Sequence, residues 1–206
     1  MPFLKEFIIN HDTKIKLWKV NLEELNYSEL DEYDCRLLKL KKNQMAKEQF
    51  LAVRKILQLE NAEYKIRYDE SGKPSINSDI NISISHSKHM AAILFSVHNK
   101  IGIDIEQKGS RILNIQNKFL NEYEKLKNEY QYDIDYLTKI WTAKESIYKA
   151  IGIKGISFSD NITIKNIMRN KGQGYYVNGK EKYKFDLIFF AIDDYILCYA
   201  KSNNYL

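Results

Sequence analysis

Two short stretches of this chain hold side chains that could act together on a charged substrate. The first is IGIDIEQ (Ile101–Gln107). Ile101, Ile103 and Ile105 alternate with Gly102, Asp104 and Glu106, a period of two that fits a strand. The isoleucines share one face. The two acids share the other, about 7 Å apart along the strand. The second stretch is WTAKESIYK (Trp141–Lys149). Here Ile140, Ala143, Ile147 and Ile151 make an apolar helical stripe. Trp141, Glu145 and Lys149, spaced by four, make a second stripe flanked by Lys144 and Tyr148. Each stretch alone has a bland reading. The strand acids could be a solvated face, and Glu145–Lys149 a surface ion pair contributing about 0.3–0.5 kcal/mol. His86 lies in SISHS between Ser85 and Ser87. It reads as a polar strand end, or as an anion site where a histidine, hydroxyls and backbone amides meet a phosphate. Lys73, in the turn GKP, is an ordinary loop lysine unless the turn folds over the same place.

The elements that must position these residues follow from pattern. IKLWKV (Ile15–Val20) alternates as a strand. From Ser28, a candidate N-cap, to Leu59 the spacing is helical, with Phe50, Val53 and Leu57 in step. KIRY (Lys65–Tyr68) is a short strand closed by the turn SGKPS. NISISH (Asn81–His86) and MAAILFSV (Met90–Val97) are strands, and HNK turns into IGIDIE. Helical pattern returns over Lys118–Tyr130 and Ile134–Gly152, with Gly152 as C-cap. The tail reads as strands at Ile162–Ile164, Gly174–Val177, Lys182–Ile192 and Tyr195–Ala200. Helices and strands are segregated, so the class is α+β. Element order repeats coarsely about a join near Lys100, which divides the chain into 1–100 and 101–206.

The chain has 206 residues, 44% hydrophobic and 29% charged, which supports a folded core and excludes a disordered chain. Its net charge of +5 favours anionic partners, but acids interleave with the bases and no basic tract points to nucleic acid. Cys35 and Cys198 stand far apart, outside any metal-ligand spacing, and read as free thiols in a reducing compartment. No stretch approaches the ~18 apolar residues of a membrane span, and the N-terminus lacks the pattern of a signal peptide. The expectation is a cytoplasmic protein without membrane contact.

Taken in order, GKP (Gly72–Pro74), ISHS (Ile84–Ser87), GIDIE (Gly102–Glu106), W-x-x-K-E-S-x-x-K (Trp141–Lys149) and GIKG (Gly152–Gly155) resemble the 4′-phosphopantetheinyl transferases of the single-chain, two-halved Sfp type. The likeness runs from about Arg54 to Gly155. It implies two similar α+β halves related by a pseudo-twofold axis, with coenzyme A in the cleft between them. It implies transfer of the 4′-phosphopantetheine arm to a serine of an apo carrier protein, with release of 3′,5′-ADP. It also implies Mg²⁺, with Mn²⁺ as the alternative, held by Asp104, Glu106 and Glu145. Lys73, Ser85, His86, Arg54 and Lys144 are the expected coenzyme A contacts. Glu145, Lys149 and Glu124 are the expected catalytic groups, with Glu145, Glu124 or a bound water taking the serine proton. Lys41, Lys42 and Lys47 join Arg54 as candidates for the 3′-phosphate. Two departures stand out: SINSD follows GKP where the family often has another proline, and FLNEYE (Phe119–Glu124) has Leu120 in a usually aromatic place, with Glu122 close to Glu124.

The physical reading agrees with the resemblance. If the helix packs on the strand, three carboxylates converge. At about 5 Å and an effective dielectric near 20, each pair costs about 3 kcal/mol, which a hard divalent cation would remove. The carrier is expected to be acidic and to dock near Ile112–Tyr130, and a chain that supplies its own cleft is expected to be a monomer. The alternatives are another Mg²⁺-dependent phosphotransferase or nuclease, or a carrier-binding module without catalysis.

Overall fold

The computed structural model describes residues 4–20, 30–126 and 133–205. Two antiparallel sheets form the body. The first has strand order β1-β2-β6-β5, from β1 (Leu4–Asn10), β2 (Thr13–Lys19), β5 (Asn81–Ser87) and β6 (Met90–Ser96). The second has order β7-β11-β10-β9-β8, from β7 (Ile101–Gln107), β8 (Ile162–Met168), β9 (Lys171–Asn178), β10 (Glu181–Ile192) and β11 (Tyr195–Tyr205). A small hairpin of β3 (Ile66–Tyr68) and β4 (Pro74–Ile76) carries the GKP turn.

Each sheet has one long helix against it. On the first sheet, α2 (Gln44–Glu60) buries Ala52, Val53 and Ile56 against Ile82, Ile93 and Phe95. On the second, α5 (Ile134–Ile151) buries Ile140, Ala143 and Ile147 against Ile164, Phe185 and Ile196. The remaining faces of the two sheets share a third core. Ile15, Leu17 and Leu94 of one meet Ile103, Ile105 and Leu197 of the other. The isoleucine face of IGIDIEQ is therefore the one that joins the sheets.

The expected α+β class holds. The continuous helix expected up to Leu59 is instead two helices, α1 (Glu32–Lys39) and α2. The break has a local cause: Asn43 caps α2 by accepting from the Ala46 N–H, as Asp31 caps α1 by accepting from Asp34. Ser28 lies outside the described residues. The helix expected over Lys118–Tyr130 is also broken. Within that span only α4 (Glu122–Leu126) is helical, with 127–132 outside the described residues; α3 (Arg111–Ile115) and a 3₁₀ turn (Gln116–Lys118) come before it. Asn121 Oδ1 accepts from the Glu124 N–H at 2.8 Å and Glu124 Oε2 from the Asn121 N–H at 2.9 Å, a reciprocal capping box that starts α4. The four-residue α6 (Phe158–Asn161) leads into β8. Helix α5 begins at Asp133, whose side chain accepts from Asp135 and Tyr136 N–H, and ends at Gly152 with φ of 70°. No helix among the described residues is long and apolar enough to cross a membrane.

Candidate functional site

The polar face of β7 is not solvated, contrary to its simplest reading. Helix α5 lies directly over it. Gly102 permits this, since a Cβ there would stand 1.8 Å from the Ser146 carbonyl oxygen and 2.9 Å from the Ala150 nitrogen. With the helix that close, the next residues of the same face, Asp104 and Glu106, sit under the second stripe of α5.

Asp104 is only 4% exposed. Its Oδ1 accepts from Lys149 Nζ at 2.8 Å and from Ser85 Oγ at 2.8 Å, while its buried Oδ2 has no partner among the described residues. Lys149 also donates to the Ile103 carbonyl at 3.1 Å. Glu106 is half-buried and accepts from Ser87 Oγ at 2.8 Å and from Trp141 Nε1 at 3.4 Å. Glu145 is half-buried and, among the described residues, makes no side-chain hydrogen bond. Loss of water, then the negative charges of Asp104 and Glu106, push its carboxyl up to about 7 despite the opposing pull of Lys149. Burial and then the Asp104 charge also raise Glu106. The three acids thus feel one another electrostatically. As placed, no group of three or more His, Cys, Asp or Glu among the described residues is arranged to hold a metal ion. Lys149 is the cation that Asp104 has.

A groove of about 330 Å³ opens beside this cluster, lined among others by Lys41, Lys73, His86, Tyr148, Lys149 and Lys154. Two turns meet over it. Lys154, in the turn after α5, donates to the Glu70 carbonyl at 2.8 Å, and Lys73 packs against Gly152. His86 keeps contact with solvent. Crowding by the groove walls, then the Lys149 and Lys41 cations, hold its imidazole below its usual value. Lysine side chains from four separate segments around one concavity suit a polyanionic ligand.

Asp104, Glu106, Glu145 and Lys149 are brought together, and Lys73 and His86 border the adjoining groove. Four expected residues are placed elsewhere or do different work. Lys144 is fully buried. It pairs with Glu124 at 2.7 Å and donates to the carbonyls of Phe119, Phe158 and Ile162 at 2.6, 2.9 and 2.8 Å. Glu124 is 2% exposed and is also held by the Ile164 N–H at 2.8 Å. As placed, neither side chain is free to meet a ligand. Together they bind α4 and the start of β8 to α5. Arg54 belongs to a smaller cavity of about 50 Å³, where it pairs with Asp34 at 2.7 Å and lies 3.7 Å over the Phe50 ring. Ser85 is buried against Asp104 and does not reach the groove.

The sequence alone gives no role to Trp141 or Lys154, and offers the Ser87 hydroxyl only as part of an anion site, not as a partner of Glu106. The serines of NISISHS were legible as a period-two set, but a face of serines does not announce that its partner is a set of acids. Lys154 depends on a contact with Glu70 that is distant in sequence.

Comparison with known proteins reaches the part of the site carried by β7 and α5. Residues 100–200 match the model of the 4′-phosphopantetheinyl transferase superfamily. Over 100 residues the chain is 36% identical to the protein named 4′-phosphopantetheinyl transferase gsp of Aneurinibacillus migulanus. That stretch is 47% of this chain and 42% of the relative, so the chain covers less than half of the relative's length.

Proposed function

Through residues 100–200 the chain belongs to the 4′-phosphopantetheinyl transferase superfamily, and on that premise we propose that it transfers the 4′-phosphopantetheine arm of coenzyme A to a serine hydroxyl of an apo carrier protein. The serine oxygen forms a bond to the β-phosphorus, the bond from that phosphorus to the bridging oxygen breaks, and 3′,5′-ADP leaves. The observation that carries this reading is the cluster of buried Asp104 with half-buried Glu106, Glu145 and Lys149 beside a groove lined with lysines.

Lys41, Lys73, His86 and Lys154 line the groove that takes the phosphates of coenzyme A. Lys149, at the junction of groove and acids, offsets the charge that grows on the phosphates during transfer. Glu145, beside the groove and raised by burial in the metal-free protein, is the carboxylate that takes the serine proton in this reading. Residues 1–100 and 101–206 act as two halves facing each other across the groove. The net charge of +5 suits an acidic carrier.

The donor chemistry of the acids, though not their arrangement as placed, suits a divalent cation. They are hard oxygen donors, Asp104 Oδ2 is buried without a partner among the described residues, and Glu145 is raised first by burial and then by the Asp104 charge. Asp104, Glu106 and Glu145 would hold Mg²⁺, or Mn²⁺ in its place. Such an ion supplies charge neutralisation at the pyrophosphate.

The test is direct. The protein is incubated with coenzyme A, Mg²⁺ and an apo carrier protein, and the intact carrier is weighed. The proposal expects a gain of one phosphopantetheine arm, abolished when the carrier serine is replaced by alanine. An unchanged carrier across acyl, peptidyl and aryl carriers would refute it.

A further inference from the structure

Strands β5 and β7 are the facing edges of the two sheets, yet no backbone ladder pairs them among the described residues. Serines span the seam instead. Ser83 Oγ accepts from the Ile103 N–H at 3.1 Å, Ser85 Oγ from Ile105 at 3.2 Å and Ser87 Oγ from Gln107 at 3.3 Å. The sequence offset is twenty in every rung, so the two strands run in the same direction in one fixed register.

A backbone N–H can only donate, so each serine spends a lone pair on its rung and keeps its own hydrogen to give. Ser85 gives it to Asp104 Oδ1 and Ser87 to Glu106 Oε2, both at 2.8 Å. Ser83, in the rung beside Gly102, bonds to no carboxylate among the described residues. His86 lies between the two donating serines and borders the groove. One strand therefore presents a groove side chain and grips two acids through the residues on either side of it. A slip of one residue would reverse which side chains face the seam.

We propose that Ser85 and Ser87 are positioning residues that fix the rotamers of Asp104 and Glu106. Their hydroxyls are oriented by the main chain of β7 itself. The role rests on the proposed transfer reaction, and it is distinct from a contact with coenzyme A.

The experiment compares the full chain with Ser87→Ala, Ser87→Thr and Ser83→Ala. The readouts are amide exchange by NMR, Mn²⁺ affinity by electron paramagnetic resonance, and kcat and KM for coenzyme A. Ser87→Ala should speed exchange at Gln107, weaken Mn²⁺ binding by about 10-fold or more and lower kcat by a similar factor, with KM little changed. Ser87→Thr, which restores the hydroxyl, should recover Mn²⁺ affinity and kcat. Ser83→Ala should speed exchange at Ile103 and leave Mn²⁺ affinity as in the wild type. A Ser87→Ala protein with a fast-exchanging Gln107 amide but wild-type Mn²⁺ affinity and kcat overturns the positioning role and leaves the transfer reaction standing. A wild type that neither binds Mn²⁺ nor transfers the arm overturns both.

Discussion

Lys149 Nζ stands 2.8 Å from Asp104 Oδ1, across the junction of α5 and β7. Spacing along the helix pairs Lys149 with Glu145. The fold pairs it with an acid forty-five residues earlier in the chain. A carboxylate as buried as Asp104 needs a counter-charge, and Lys149 provides it while remaining about a quarter exposed at the groove.

Removing that counter-charge should be felt in stability and in rate. Lys149→Ala leaves Asp104 buried beside Glu106 and Glu145 with no cationic partner. The expected cost is about 1–3 kcal/mol, reduced because Lys149 reaches solvent. Added Mg²⁺ should recover part of the lost melting temperature, and single-turnover transfer should fall more than coenzyme A affinity does. Unchanged melting with an unchanged rate would show the pair to be incidental.

Glu145 makes the metal-free protein sensitive to pH. Its folded value of about 7 lies above the ordinary 4.5. Between those values the native state keeps a proton that the unfolded chain has released. Stability from this group is therefore greatest below pH 4.5, falls as pH rises toward 7 and is level above it. The change is on the order of 3 kcal/mol. Denaturant titrations across this window should show a smaller fall for Glu145→Gln than for the wild type. Parallel curves would remove the electrostatic account of the cluster.

Gly102 is required by the distance between β7 and α5. A methyl group there meets helix backbone, which cannot turn aside as a side chain would. Gly102→Ala should cost about 1–3 kcal/mol or more and move α5 away from the acids. Transfer should be lost even at temperatures where circular dichroism shows a folded protein. Wild-type melting and activity in this variant would contradict the packing described.

The pair of Lys144 and Glu124 offers a contrast. Lys144→Met leaves Glu124 buried and unpaired, at a cost of about 3–5 kcal/mol. Adding Glu124→Leu should recover a substantial part of that loss, since the orphaned charge goes with it. Calorimetry on the folded protein should find coenzyme A affinity little changed in the double variant. A selective loss of affinity would return Lys144 to the ligand site.

Much of the site was legible because its parts are local. The alternation in IGIDIEQ, the stripes of Trp141–Lys149 and the stop at Gly152 each follow from a few adjacent residues. What escaped is non-local. Period two alone cannot say which strand face a helix will cover, so the strand by itself allowed a solvated face for Asp104, and only the second motif pointed to a helix over it. Arg54 was expected at the 3′-phosphate, and its pairing with Asp34 was hidden because that acid sits in another helix. Lys144 was expected at coenzyme A and Glu124 among the catalytic groups because each lies in a motif, and neither motif shows that the two side chains pair with each other. The spacing Asn121-x-x-Glu124, a helix-start signal, would have pointed to a structural glutamate. The serine rungs required knowing that β5 and β7 are neighbouring edges.

The account turns on the acids of β7 and α5 performing the transfer, and Glu145 is the sharpest place to ask. Single-turnover transfer to a saturating apo carrier is measured for the wild type and Glu145→Gln, with coenzyme A affinity measured separately by calorimetry. The account predicts a rate lower by about 100-fold or more in the variant, with a folded protein that still binds coenzyme A. A Glu145→Gln protein that transfers the arm at the wild-type rate would contradict it.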